Sequence, residues 1–201
     1  MYARFLCAGA LLLIVGLVTG CDKPIVPTAV PQNEPKAAVP SVSQIKMDHV
    51  KVTSAKPYAD VTAAFLAPVG KYDAAVAKDA LASGDTAAAR SKLEKMAGPS
   101  GFMIFAAHDH GAVLTLVGQK RKAVQYILGN ALFAVEMTRH DVRASLYAPL
   151  RVLIYETDDG KTCIEYDRPS SLFGQFGNAE VDQTAKMLDE KLEALVGLAT
   201  R

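Results

Sequence analysis

Leu150-Arg151-Val152-Leu153-Ile154-Tyr155-Glu156, Thr157-Asp158-Asp159-Gly160 and Lys161-Thr162-Cys163-Ile164-Glu165-Tyr166-Asp167 follow one another without a break, and the fold is read from them. Two runs rich in β-branched and aromatic residues flank an Asp-Gly pair, and Gly accepts the positive φ that a tight hairpin turn demands. The stretch therefore predicts two antiparallel strands. Cys163 falls in the middle of the second, where it reads as a small buried residue.

Toward the C-terminus, Pro169 and a loop punctuated by Gly174 and Gly177 precede a helix expected from Ala179 to Leu198, with Asn178 as its N-cap. Val181, Ala185, Leu188, Leu192 and Leu195 recur three or four apart, so one helix face should cover the sheet. Toward the N-terminus, Ala123–Leu128 reads as a strand closed by Gly129-Asn130 and followed by a helix from Ala131 to Arg139. Before it, Phe102–His108 reads as an apolar strand leading into Asp109-His110-Gly111. Val50–Thr53 alternates as a short strand. The Ala-rich stretch from Tyr58 to Met96 predicts two or three helices, broken near Pro68-Val69-Gly70 and Ser83-Gly84; Asp85 or Thr86 caps the last and Gly98-Pro99 ends it. Strands and helices intermix without regular βαβ alternation. The expected fold is thus α+β, a two-layer domain over residues 47–201 with a mainly antiparallel sheet covered by helices and an N-terminal helical extension.

The 201-residue chain is 50% apolar, enough for a real core. Its first 20 residues read differently from the rest. One basic residue, Arg4, precedes a charge-free run from Phe5 to Val18, and Val18-Thr19-Gly20-Cys21 resembles the bacterial lipobox. At about 1.5 Å per helical residue the run is too short to span a hydrocarbon core of about 30 Å comfortably. The expectation is a lipoprotein signal peptide over 1–20, cleaved before a lipidated Cys21. Several acyl chains, at about 0.8 kcal/mol per buried methylene, would hold the protein on the membrane with its domain facing the periplasm or exterior. Asp22 resembles the signal that retains enterobacterial lipoproteins at the inner membrane. Residues 21–46 contain Pro24, Pro27, Pro31, Pro35 and Pro40 and read as a Pro-rich tether. Loss of the signal removes Arg4 from the 22 Lys and Arg, matching the 21 Asp and Glu, a balance that argues against nucleic acid as a partner. It also removes Cys7, and with Cys21 lipidated the mature chain keeps only Cys163 of its three cysteines, so no intrachain disulfide is expected.

A resemblance sharpens this reading. Asp109-His110-Gly111-Ala112, Tyr126-Ile127-Leu128-Gly129-Asn130, Met137-Thr138-Arg139-His140-Asp141, Ala148-Pro149 running into the first hairpin strand, and Tyr166-Asp167-Arg168-Pro169-Ser170-Ser171 occur in this order. Over residues 102–201 they resemble the bacterial family known as the domain of unknown function 302. The resemblance implies a compact α+β fold, often a homodimer, in proteins that include secreted and lipid-anchored members. It implies no activity. The helical stretch from Tyr58 to Met96 is longer than the family's usual single helix and reads as an insertion.

Two sets of residues are candidates for chemistry. His108 and His110, two apart on an extended segment, would face the same way and could hold a metal or other ligand with help from His140, Asp141, Asp109 or Cys163. The plainer reading of the pair is a strand end whose side chains hydrogen-bond the turn before Gly111. Gly129 and Asn130, between a strand and a helix, could offer backbone N–H groups to an anion, although a tight turn explains them as well. No G-x-S-x-G elbow or other nucleophile motif is present. The sequence thus points to a lipid-anchored cell-envelope protein, a non-enzymatic binding module for a small ligand, metal ion or protein partner. The competing reading is an envelope enzyme using His and Asp around a cleft. It names no cofactor.

Overall fold

A computed structural model describes residues 38–201; the expected signal peptide, Cys21 and most of the expected tether lie outside the described residues. Ser43–Arg201 form one compact unit. No helix among the described residues is long and apolar enough to cross a membrane.

The predicted hairpin forms inside the sheet, away from its edges. β5 (Leu150–Glu156) and β6 (Thr162–Asp167) pair antiparallel, Val152 opposite Tyr166 and Ile154 opposite Ile164. Gly160 carries the turn at φ +76°, and its N–H donates to the Thr157 carbonyl at 3.0 Å. β1 (His49–Ser54) adds antiparallel to the outer edge of β6. On the other side come β4 (Ala123–Gly129), β3 (Met103–Asp109) and the two-residue β2 (Gly70–Lys71), giving the order β1-β6-β5-β4-β3-β2. Only β2 runs parallel to its neighbour. It was not expected, because two residues between Pro68 and the next helix carry no periodicity to read.

One face of this sheet is apolar. Val152, Ile154, Ile164, Tyr166, Tyr126 and Leu128 all project from it, as the register of the three strands requires, and all are buried. They pack under α7 (Ala179–Thr200), which buries the predicted stripe of Val181, Ala185, Leu188, Leu192 and Leu195 together with Val196 and Ala199. Asn178 caps this helix by accepting from the N–H groups of Glu180 and Val181, both at 3.1 Å. At its other end the Ser54 hydroxyl donates to the Thr200 carbonyl at 3.0 Å, tying the helix to β1. Beside α7 lie α1 (Tyr58–Leu66), which buries Val61 and Phe65 in the same core, α5 (Ala131–Thr138) and α6 (Pro169–Phe173). α2 (Ala74–Ala82) and α3 (Thr86–Met96) are the expected helix pair, capped by Asp73 and Asp85. The two-layer α+β architecture read from the sequence is the one observed.

One local expectation fails. The chain does not turn at Asp109-His110-Gly111 but enters a short helix, α4 (His110–Leu114), because Asp109 accepts from the Ala112 N–H at 2.9 Å and acts as an N-cap. Gly111 is required there, since a Cβ would collide with the Arg121 carbonyl of the loop passing against it.

Leu192 has no exposed surface, whereas Leu198, on the same helix, is 57% exposed. Leu192→Ala is expected to lower the unfolding free energy by about 2–5 kcal/mol and Leu198→Ala by less than about 0.5 kcal/mol, measured by urea denaturation.

Candidate functional site

The chemistry-bearing residues picked out by sequence do not converge. Strand alternation stops at Asp109, so His108 is the penultimate strand residue and His110 the first residue of α4; their rings stand edge to face with centroids 6.5 Å apart. Both are exposed. His108 Nδ1 lies 3.4 Å from the Gln125 side-chain oxygen, to which it donates. His140 Nε2 accepts from Arg139 Nε at 3.0 Å, so that ring nitrogen's lone pair is used. Asp141 caps the 3₁₀ turn Val142–Leu146 and holds the Arg143 guanidinium, with Nη2 at 2.6 Å from Oδ2; this pairing keeps the Asp141 carboxyl below its ordinary pKa. Among the described residues no three His, Cys, Asp or Glu side chains are gathered as a metal site would need. Cys163 is buried, on the sheet face away from α7, with its sulfur 3.3 Å from the Thr53 hydroxyl.

At the Gly129-Asn130 joint the structure also changes the chemistry. The Asn130 side chain is fully engaged: its oxygen accepts from the Leu132 N–H at 2.8 Å, capping α5, and its amide donates to the Gly101 carbonyl at 2.8 Å. One N–H of the helix N-terminus, that of Leu132, is thus taken from within. Beside it opens an apolar pocket of about 240 Å³. Separate parts of the chain build its wall. Between Ile104 and Ala106 the β3–β4 register slips by one residue, and Phe105, left without a partner on β4, lines the pocket and stacks on Tyr72 at 4.4 Å between ring centroids. Phe133 and Met137 come from α5, Pro149 from the segment entering β5 through a cis peptide bond, Phe173 from α6 and Leu188 from α7. Gly129 keeps the mouth free of a side chain where Pro149 approaches. Sequence reasoning found the polar corner and missed these apolar walls, which are scattered from residue 105 to residue 188. The available signal was the run from Phe102 to Ala107, apolar on both strand faces.

A second group escaped the sequence reading. On the sheet face opposite α7, His49 and Lys51 of β1 stand beside Glu165 and Asp167 of β6. His49 lies 2.9 Å from Asp167 and 3.0 Å from Glu165, Lys51 3.3 Å from Glu165, and the Tyr155 hydroxyl donates to Glu165 at 2.6 Å. Hydrogen bonds to Asp167 and Glu165 raise the His49 pKa above 6.5; the Tyr155 hydroxyl, followed by His49 and Lys51, lowers that of Glu165. The alternation His49-Val50-Lys51 and Glu165-Tyr166-Asp167 contained the pattern, but the pairing of strands 116 residues apart did not follow from it.

The mixed six-stranded sheet packed under α7 defines an α+β domain with an apolar pocket beside α5. The chain belongs to the family described as domain of unknown function DUF302, whose model matches residues 79–197. That match begins inside α2, so it takes in α3 as well as the stretch from residue 102 onward where the motifs lie. In three dimensions the chain is similar to the crystal structure of an uncharacterized conserved DUF302 protein from Bacillus stearothermophilus, with a TM-score of 0.53 and 14% sequence identity. The likeness covers 76% of this chain and 98% of that one, and at such identity it speaks to the fold alone. No curated protein matches the sequence.

Because the His49 pKa is raised on folding, its contribution to stability is complete below pH 6.5 and is lost as pH rises through the folded-state value. Thermal melts of the wild type and of His49→Gln between about pH 5 and pH 8 should therefore show a difference that is largest at the acid end and shrinks toward the alkaline end. A difference that grows with pH would contradict the assignment.

Proposed function

We propose that the protein is a lipid-anchored module of the bacterial cell envelope that binds a small apolar ligand without transforming it. The observation that carries the binding reading is the pocket of about 240 Å³ walled by Phe105, Phe133, Met137, Pro149, Phe173 and Leu188. Ligand sites are typically concave and mostly apolar, with few polar groups. A dry cavity of about 150 Å³ suffices for benzene, so this one suits a single aromatic ring or a short branched aliphatic group. The binding reading is supported over catalysis by His108, His110 and His140, which are exposed and do not line this pocket. Anchoring rests on the Val18-Thr19-Gly20-Cys21 ending, and the Pro-rich tether that follows suits a domain held clear of the membrane. A homodimer rests on the family resemblance.

Two experiments test these parts separately. Cys21→Ser is expected to move the protein from the membrane fraction to the soluble fraction of fractionated cells; continued sedimentation with membranes would remove the lipid anchor from the account. Indole, titrated by calorimetry into the purified protein, is expected to bind once per chain. Ala134→Phe, which fills the pocket from α5, should weaken that binding by about tenfold or more at unchanged helix content by circular dichroism. Equal binding by the variant would place the ligand elsewhere.

A further inference from the structure

β3 and β4 are antiparallel neighbours that a turn of two residues could join, yet the chain uses residues 110–122 for the connection. α4 runs without a break into a 3₁₀ turn, Thr115–Val117, and Gly118 stops it at φ +73°. The base of this excursion is held to the domain, by Gly111 packed against the Arg121 carbonyl and by the Asp109 cap. Its outer part is not covered. Ala112-Val113-Leu114-Thr115-Leu116-Val117 carries no charge, and Val113 is 61% exposed, Leu116 85% and Val117 71%. Leu114 alone of the six is half-buried, beside Leu153 and Tyr155. Spaced three and four apart, Val113, Leu116 and Val117 share one helix face. Single exposed apolar side chains are ordinary, but three large ones together on a firmly based excursion mark an interaction surface.

The residues that follow decide what meets this surface. Lys120, Arg121 and Lys122 come directly after the turn, and all three are exposed. Arg121 is paired with Asp158, and Lys122 lies 2.8 Å from Glu156, whereas Lys120 has no acidic partner among the described residues. Exposed ion pairs contribute little, so these side chains exchange partners easily. An apolar face edged by basic side chains suits a lipid–water interface, where the apolar groups enter the acyl boundary and the cationic heads stay level with the phosphates. We propose that Val113, Leu116 and Val117 dip into the surface of an anionic bilayer, with Lys120 on its phosphate groups, so that the domain rests on the membrane by this end of the sheet. The proposal rests on the lipid-anchor reading, which brings the domain to the bilayer. β1 begins at the other end of the strands, about 20 Å away for a strand of six residues. The 27 residues between Cys21 and His49 can extend on the order of 80 Å, so the anchor does not keep α4 from the membrane. Tethering also raises the local concentration of bilayer, and a small patch then suffices. Val142 and Leu146, also exposed, lie near the start of β5 at the opposite end, beside an Arg143 that both oxygens of Asp141 engage. That end offers an apolar pair whose neighbouring cation is already taken.

The sequence contains no tryptophan, so one introduced indole reports its own surroundings. Full-length Leu116→Trp, extracted from membranes in detergent, is incorporated into vesicles of phosphatidylcholine and phosphatidylglycerol, and flotation shows whether the protein is on them. Its emission is expected to shift to the blue on the vesicles and to be quenched severalfold by lipids brominated in the acyl chains. Leu146→Trp carries the same indole at the other end of the strands and should emit as in water, unquenched. Leaving out the phosphatidylglycerol should lower the inserted fraction relative to the free by about fivefold, the worth of one basic residue at about 1 kcal/mol. Leu116 is exposed enough for the substitution to leave the melting temperature unchanged, and Val117→Trp gives a second reading. Failure to float would overturn the anchor reading and this proposal together; floating with a water-like, unquenched Leu116→Trp would overturn the proposal alone. A shift at Leu146→Trp would also overturn it, as would a shift of Leu116→Trp that appears without vesicles as the protein is concentrated, which would give the face to a second copy of the chain.

Discussion

Everything in this domain hangs on the burial of one helix stripe against one sheet face. α7 is 22 residues long, about 33 Å at 1.5 Å per residue, and its seven buried apolar residues meet the inward side chains of β4, β5 and β6. Burial of that size is the main favourable term in folding, and it is non-directional; the register of the strands and the caps of the helix supply the direction. Asn178 fixes where the helix starts, and the Ser54–Thr200 hydrogen bond fixes where it ends. α1, α5 and α6 then need only fill the margins around it.

The margins are where openings form. α7 and the central strands are closely matched, but the short helices at the strand ends cannot all reach the sheet. Near Gly129 the β3 bulge turns Phe105 toward a space that α5 and α6 leave, and the space is lined by carbon because each of those helices is apolar on the side it presents. At the other end α4 is held close by Gly111 and by the Asp109 cap, and Tyr58, Tyr126, Asp109 and the Lys122–Glu156 pair are among the groups around the gap. One sheet thus has an apolar opening at one end and a cleft edged by charged groups at the other, and the difference follows from which helix stops short of which strand end.

This division explains what could be read from the sequence. The hairpin, the stripe on α7, the Asn178 and Asp85 caps and the strand ending at Gly129 are local patterns, with periods of two or of three to four residues, and they were legible. The end of β3 was not read correctly, because an Asp one residue before His110 can either continue a strand or cap a helix, and only packing against the Arg121 loop decides between them. The two cavities were not legible at all. Phe105, Phe133, Phe173 and Leu188, or Tyr58, Tyr126 and Glu156, meet only after the sheet order is set, and no spacing in the sequence records their meeting. His108 and His110 do stay neighbours, with their rings edge to face, but among the described residues no third ligand-type side chain joins them, and where His140 and Asp141 fall relative to them is again a matter of strand order rather than spacing.

The open face of the sheet adds a constraint of its own. Its ionic group, His49, Lys51, Tyr155, Glu165 and Asp167, joins β1 to β6 and β5 on the face away from α7. β1 is an edge strand, and edge strands expose unpaired backbone groups that invite pairing with another chain. Charged side chains along such a strand oppose that pairing, and cross-strand opposite charges also favour the native register. The raised pKa of His49 shows the same thing in another form: the imidazolium is favoured by carboxylates that only the correct pairing of β1 with β6 brings within 3.0 Å. Apolar burial on one face and charge pairing on the other therefore select the same arrangement of strands, and the two cavities at the strand ends inherit their shapes from it.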